Sequence, residues 1–207
     1  MAISNYTELQ AAIENWLDRS DLSARVPEFI ALAEAQMNRD LRIRIMEGRY
    51  TASTVKAQRI YALPTDYRQM RSLRINLDPI VALVYLTPQN MNQVWAGSST
   101  GTPRAYTIVG NDIRLGPAPD SVMEMEINYY RAVAALSGTN TTTIMLTQNP
   151  DIYLYGALMA AEPFLMNDER LVLWGGLFDK AIRALQDQDA KDRASGSELT
   201  IRNLGLQ

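Results

Sequence analysis

Apolar residues recur at helical spacing at both ends of this chain and in short strand-like runs through its middle, and that change of period is the strongest constraint on its fold. Terminal helices that flank a β region must bury their apolar stripes on one another. The pattern therefore predicts an α+β chain in which the N-terminal and C-terminal helices form one bundle, an antiparallel β-rich domain is inserted between them, and a C-terminal tail extends beyond. The predicted divisions are residues 1–48 and 149–194 for the bundle, 49–148 for the insertion and 195–207 for the extension.

Asn5 followed by Glu8 has the spacing of a capping box, so the first helix should begin there. Leu9, Ile13, Trp16 and Leu17 line its apolar side, and the polar turn Asp18-Arg19-Ser20-Asp21 ends it. Pro27 opens a second helix without loss of a hydrogen bond, and Phe29, Ile30, Ala33, Met37 and Leu41 point inward from it. The two form an αα-hairpin. At the other end, Asn149-Pro150-Asp151 combines an N-cap, a first-turn proline and an acid that suits the helix dipole. The helix that follows is apolar nearly all round from Ile152 to Ala161 and should be the central core element, kinked or ended by Pro163. Asn167-Asp168-Glu169 opens another, with Leu171, Trp174, Phe178, Ala181, Ile182 and Leu185 on one face.

In the middle, Gly48 is read as closing the helical stretch. Strands are predicted over 59–63, 69–75, 80–85, 105–109, 113–115 and 122–130, in one antiparallel sheet. The firmest hairpin runs from Tyr106 to Leu115 through Gly110-Asn111, residues that tolerate the positive φ of a tight primed turn. Val122, Glu124, Glu126 and Asn128 alternate with Met123, Met125, Ile127 and Tyr129, which suits a strand with one wet face. Thr87-Pro88 is the start of a short helix or turn, and Gly97-Ser98-Ser99-Thr100-Gly101-Thr102 reads as a mobile exposed loop.

None of the 207 residues is His or Cys, which removes Ser-His-Asp triads, thiolate nucleophiles, disulfides and the common zinc sites. Oxygen chemistry survives. Two carboxyl groups across a glycosidic bond would suffice for glycan hydrolysis, and Glu162, or Glu124 with Glu126, are the nominees. Glu124 and Glu126 share a wet strand face, where ordinary carboxyl pKa values are expected. Asp187, Asp189 and Asp192 lack the glycine turn and spacing of a calcium loop, so no metal and no cofactor is predicted. With 20 basic against 23 acidic residues the net charge is −3, without the basic excess of a general nucleic-acid or anionic-membrane binder. No stretch has the roughly 20 apolar residues of a membrane span, and the N-terminus lacks the layout of a signal peptide. Synthesis in the cytosol is expected.

Several phrases resemble the head-to-tail adaptor, or connector, proteins of tailed bacteriophages, in the ring-forming podophage-type family. They are Tyr6-Thr7-Glu8-Leu9-Gln10, Trp16-Leu17-Asp18-Arg19-Ser20-Asp21-Leu22, the segment from Phe29 to Ala35, Asn38-Arg39-Asp40-Leu41-Arg42, Leu63-Pro64-Thr65-Asp66-Tyr67, Tyr129-Tyr130 and the segment from Pro150 to Leu158. Together they run over nearly the whole chain. The resemblance implies a dodecameric ring beneath the portal, with a helical bundle near the portal and a β-rich domain toward the tail. It also implies a C-terminal extension that reaches the portal, and a channel that continues the path of the DNA. The implied partners are the portal protein, neighbouring adaptor subunits and a tail or nozzle protein, with packaged DNA passing through without tight binding and no membrane. The implied location is the virion neck, after assembly in the host cytoplasm. Two other roles compete with it: a peptidoglycan-degrading virion protein, or another neck component such as a tail terminator or completion protein.

Three sets of residues are candidates for contact. Leu199, Ile201, Leu204 and Leu206, with Arg202, make the tail too aliphatic for a purely solvating segment and suit a portal or subunit interface. Arg39, Arg42 and Arg44 cluster near the end of the second helix and could face DNA phosphates or an acidic partner, or else solvate a helix terminus. Gly97, Ser98, Ser99, Thr100 and Gly101 form a possible tail-facing loop. Trp16, Trp174, Tyr153 and Tyr155 fall at helical spacing and are read as core rather than as interface anchors.

Overall fold

The computed structural model describes residues 3–95, 97, 99–165 and 168–194. Helices α1 (Tyr6–Leu17) and α2 (Val26–Asp40) come first. A 3-10 turn leads into β1 (Glu47–Ser53), β2 (Ile60–Ala62), β3 (Tyr67–Ile75), β4 (Val81–Ala82) and β5 (Val84–Tyr85). Next are α3 (Pro88–Val94), β6 (Ala105–Val109), β7 (Asp112–Gly116) and β8 (Glu124–Arg131). Helices α4 (Ile144–Gln148), α5 (Pro150–Leu165) and α6 (Asp168–Ala194) complete the order. This is an α+β fold, with terminal helices flanking a β region. It divides into two compact units, one drawn from Met1–Ile45 and Val133–Gln207, the other from Met46–Ala132.

In the helical unit, α1 starts where Asn5 accepts the Glu8 N–H at 2.9 Å. The Glu8 carboxylate accepts from the backbone and hydroxyl of Ser4 at 2.7 Å each, so the reciprocal bond lands one residue before the cap. Asp18 stops the helix in the left-handed conformation at φ 52°. Helix α2 stops where Leu41 turns extended, well before Gly48. Gly48 instead lies within β1, where a Cβ would sit 3.2 Å from the Tyr129 ring, so its role is close packing and not helix termination.

Helix α5 is the central element, as its all-round apolar sequence requires: α1, α2, α4 and α6 each pack on it. The α1–α2 hairpin closes mainly through this shared partner, since α2 packs far more extensively on α5 than on α1. Gly156 makes the closeness possible, because a Cβ there would meet Ala33 Cβ and Phe178 Cε2 at 2.9 Å each. Pro163 does not end α5, which continues two residues beyond it.

The other unit holds two four-stranded sheets, ordered β1-β8-β3-β4 and β2-β7-β6-β5, and not the single antiparallel sheet predicted. The predicted strand 80–85 is the reason. Its first half pairs antiparallel with β3 and its second half parallel with β6, with buried Leu83 at the switch. Leu83 N–H bonds Leu73 O in one sheet and Val84 N–H bonds Arg104 O in the other. The two inner faces share one core that includes Leu73, Ile75, Ile113, Leu115, Met125 and Ile127. Strand β1 was not predicted from sequence because its Glu-Gly-Arg-Tyr-Thr-Ala-Ser run has little apolar alternation; pairing along all of its length with β8 makes it a strand. The predicted hairpin is present, with Val109 opposite Asp112 and Gly110 at φ 63°. Asn111 has negative φ, as the second central residue of a II′ turn does.

Gly116 in β7 lies directly under Trp95, and a Cβ there would be 2.5 Å from Trp95 Cδ1 and 2.7 Å from Met91 Sδ. Gly116→Ala is expected to displace α3 and Trp95, at a cost of about 1–3 kcal/mol, typical of overpacking. A red shift of Trp95 emission in a Trp16→Phe, Trp174→Phe background would report it. Unchanged emission and stability would mean that α3 does not need this contact.

Candidate interaction surface

The predicted basic residues direct their donors into the helical unit. Arg39 donates to Gln36. Arg42 donates to the backbone oxygens of Asn38 and Leu41, closing the C-terminus of α2. Arg44 donates its backbone N–H to Asp189 at 2.8 Å and pairs with Asp192 of α6 at 3.7 Å. The acidic end of α6 is thus a fastening to the α2 terminus. Partial burial opposes ionisation of Asp189, yet hydrogen bonds from Arg193 and from the Arg44 backbone hold its carboxyl below the usual range.

The predicted loop is exposed at Gly97, Ser99 and Thr100, but it is tied down. Thr100 bridges Ala118, and Ala118 N–H bonds Ser99 O at 3.1 Å while Gly101 N–H bonds Ala118 O at 2.8 Å. Arg59 also donates to Trp95 O at 2.9 Å. Ser98 and the tail residues Leu199, Ile201, Arg202, Leu204 and Leu206 lie outside the described residues.

The aromatic residues divide. Tyr153 is fully buried, as predicted, and burial pushes its hydroxyl up to about 12. Trp16 is instead 48% exposed, and Trp174 and Tyr155 are half-buried beside it. Tyr155 and Trp174 stack with centroids 6.3 Å apart, and Trp16 leans on both at 6.2 and 5.6 Å. Core packing fails here because Leu171-Val172-Leu173-Trp174 covers more than one face of a helix that has α5 on one side only. Val172 and Leu173 are consequently 79% and 55% exposed. That run of four apolar residues was the sequence signal for an interaction surface.

Beneath the rings lies Glu162, 1% exposed. Its Oε1 accepts the Trp174 indole N–H at 2.8 Å, and its Oε2 has no hydrogen-bond partner among the described residues. The other glycan-cleaving nominee is arranged for structure. Glu126 is buried, not on a wet face, with Arg74 Nη2 2.8 Å away and Asn76 donating to it at 3.5 Å. Hydrogen bonds from Arg74 and then Asn76 hold its carboxyl below the ordinary value, so the expected ordinary pKa is corrected. Glu124 accepts from the same Asn76 at 2.6 Å.

A buried acid that sequence reasoning missed is Glu34 of α2. It accepts the Leu136 N–H at 2.8 Å, and one turn on Asn38 accepts the Val133 N–H at 2.7 Å. The two side chains hold the chain where it re-enters the helical unit. Desolvation pushes the Glu34 carboxyl up to about 7. Its position on the face shared by Ile30, Ala33 and Met37 was the available signal.

Comparison with known families decides the matter of kinship. The family model of the SU10 adaptor protein matches residues 4–202. The chain belongs to this adaptor family. Comparison with curated proteins finds no match. Membership supports a phage head-to-tail adaptor role and a place among virion components. Among the described residues no helix is long and apolar enough to cross a membrane.

Proposed function

We propose that this chain is a structural neck subunit that forms a dodecameric ring beneath the portal, joins the DNA-filled head to the tail and continues the DNA channel. Membership of the adaptor family over residues 4–202 carries this reading. The exposed Trp16, Val172 and Leu173 support it as an apolar surface of the kind that subunit contacts cover. Passage of DNA without tight binding accords with a net charge of −3 and with the engagement of Arg39, Arg42 and Arg44 inside their own unit. A ring shares each contact heterologously around a closed rotation, and a portal template lowers the entropy cost of closing it. The free chain is therefore a monomer that assembles on its portal. Residues 195–207 carry an assembly contact, to the portal or to a neighbouring copy.

Analytical ultracentrifugation of the chain alone and mixed with the portal encoded beside it tests the proposal. A monomer that becomes a portal-bound ring is the expected result, and absence of association at every salt concentration would reject the adaptor role in favour of another neck function. Deleting residues 195–207 is expected to abolish the portal-bound ring with the circular dichroism of the fold unchanged. Full assembly of the truncated chain would remove the tail from the interface.

A further inference from the structure

Three of the four sheet edges are short: β4 and β5 have two residues each and β2 has three. The fourth is β1, seven residues without proline, paired with β8 in unbroken register. Thr54 N–H bonds Met123 O at 2.8 Å in that same register. Alternation therefore gives Gly48, Tyr50 and Ala52 the bonds to β8 and turns the N–H and C=O groups of Arg49, Thr51 and Ser53 outward. Among the described residues none of these three has another backbone partner. Arg49, Tyr50, Thr51 and Ser53 are all exposed. A long open edge is a template for any extended chain, and native sheets cover or blunt it.

The two faces of β1 specify what an added strand must carry. Tyr50 and Ala52 stand beside Ile127 and Met125 on the core face, yet Tyr50 is 43% exposed, so apolar residues fit there at every second position. Arg49, Thr51 and Ser53 lie on the polar face, where the Arg49 side chain is 68% exposed and 3.9 Å from Glu126, a distant pair that a closer carboxylate improves. Glu198-Leu199-Thr200-Ile201-Arg202 has the required alternation. It also starts in the right place. Asp189 accepts the Arg44 N–H at 2.8 Å, which fastens the last turns of α6 to a residue only a 3-10 turn ahead of β1. Ser195-Gly196-Ser197 then gives Glu198 up to about 14 Å of reach from Ala194. A chain that leaves from the Glu47 end runs along β1 in the parallel sense, because antiparallel pairing would first take it the whole length of the strand, about 20 Å.

We infer that residues 198–202 of the same copy add to the β1 edge of the free chain as a parallel strand, with Glu198 beside Arg49, Leu199 beside Tyr50 and Ile201 beside Ala52. Charge selects this register, since a shift of two residues toward the start of β1 sets Glu198 against Glu47. Thr51 donates to Leu199 O and accepts from Ile201 N–H. The covered edge denies a second copy a strand to pair with, and the tail must leave it to make an assembly contact elsewhere. That release rests on the adaptor reading, whereas the pairing does not.

A chain without cysteine allows the pairing to be trapped by a disulfide in the full-length protein. Tyr50→Cys with Leu199→Cys is expected to close within one copy at least fivefold faster than Tyr50→Cys with Ile201→Cys, the pair offset by two residues. In the chain without these cysteines, the amides of Arg49, Thr51 and Ser53 are expected to exchange at least tenfold faster once residues 195–207 are deleted, with β6 and β7 unchanged. Ile201→Pro, which removes one donor without shortening the chain, should give the same acceleration. Equal exchange with and without the tail, equal closure of the two cysteine pairs, or closure between copies into a covalent dimer overturns the inference. A portal-bound ring in sedimentation would in that case leave the adaptor reading standing, with the tail engaged only in assembly.

Discussion

Phe178→Ala is expected to cost the helical unit about 3–5 kcal/mol, enough to melt most of it at physiological temperature. Phe178 is 1% exposed, and its ring lies against Gly156 of α5 at the point where Ala33 of α2 also closes in. Three helices meet there with a glycine at the centre. No side chain on α5 can extend to fill the space a removed ring would leave, and the helices cannot shift inward without losing their contacts elsewhere. Urea unfolding followed by helical circular dichroism measures the loss. The β unit has a core of its own, so Trp95 emission should change later in the denaturant series than the helical signal. A loss below about 1 kcal/mol would mean that α6 is not essential to the bundle.

The second large effect is a dependence on pH that runs opposite to the usual acid limb. The Glu34 carboxyl is raised from 4.5 to about 7 by burial among α1, α2 and α5, close to Tyr6 and Tyr153. Its folded state binds the proton more tightly than the unfolded state. The stabilisation is therefore complete below the unfolded value and is lost as pH rises through about 7, with a total loss of about 2–3 kcal/mol. Glu126 and Asp189, held below their ordinary values, act in the other direction and lose their contribution as pH falls through their folded pKa values. Stability should peak in mildly acidic solution between the two limbs. Glu34→Gln keeps an acceptor for the Leu136 N–H and should abolish the alkaline decline while leaving the acid limb in place. An unaltered decline in that variant would assign it to another group. The consequence for assembly is local, because Glu34 and Asn38 grip residues 133–136 where the chain returns from the β unit.

Legibility followed the range of the forces involved. Periodicity, caps and turn residues act within a few positions, so the amphipathic α1 and α2, the starts of α3 and α5 at Thr87 and Asn149, the apolar α5 and the Gly110 hairpin could all be read from the chain. So could the absence of imidazole and thiol chemistry, and the aliphatic character of residues 195–207. Strand β1 could not, because a polar seven-residue run becomes a strand only when β8 supplies its hydrogen bonds. Nor could the division of residues 80–85 between two sheets, since its choice of partner at each half depends on where Leu73 and Arg104 lie in space. Glu126 was placed on a wet face by alternation alone, and only the arrival of Arg74 and Asn76 from β3 and its continuation made it a buried, ion-paired group. Trp16 and Trp174 have the spacing of core residues and belong to helices that do pack. That Trp16 is exposed and Trp174 only half-buried was decided by how many helices surround α5, a property of the tertiary assembly that the apolar run from Leu171 to Trp174 signals without fixing.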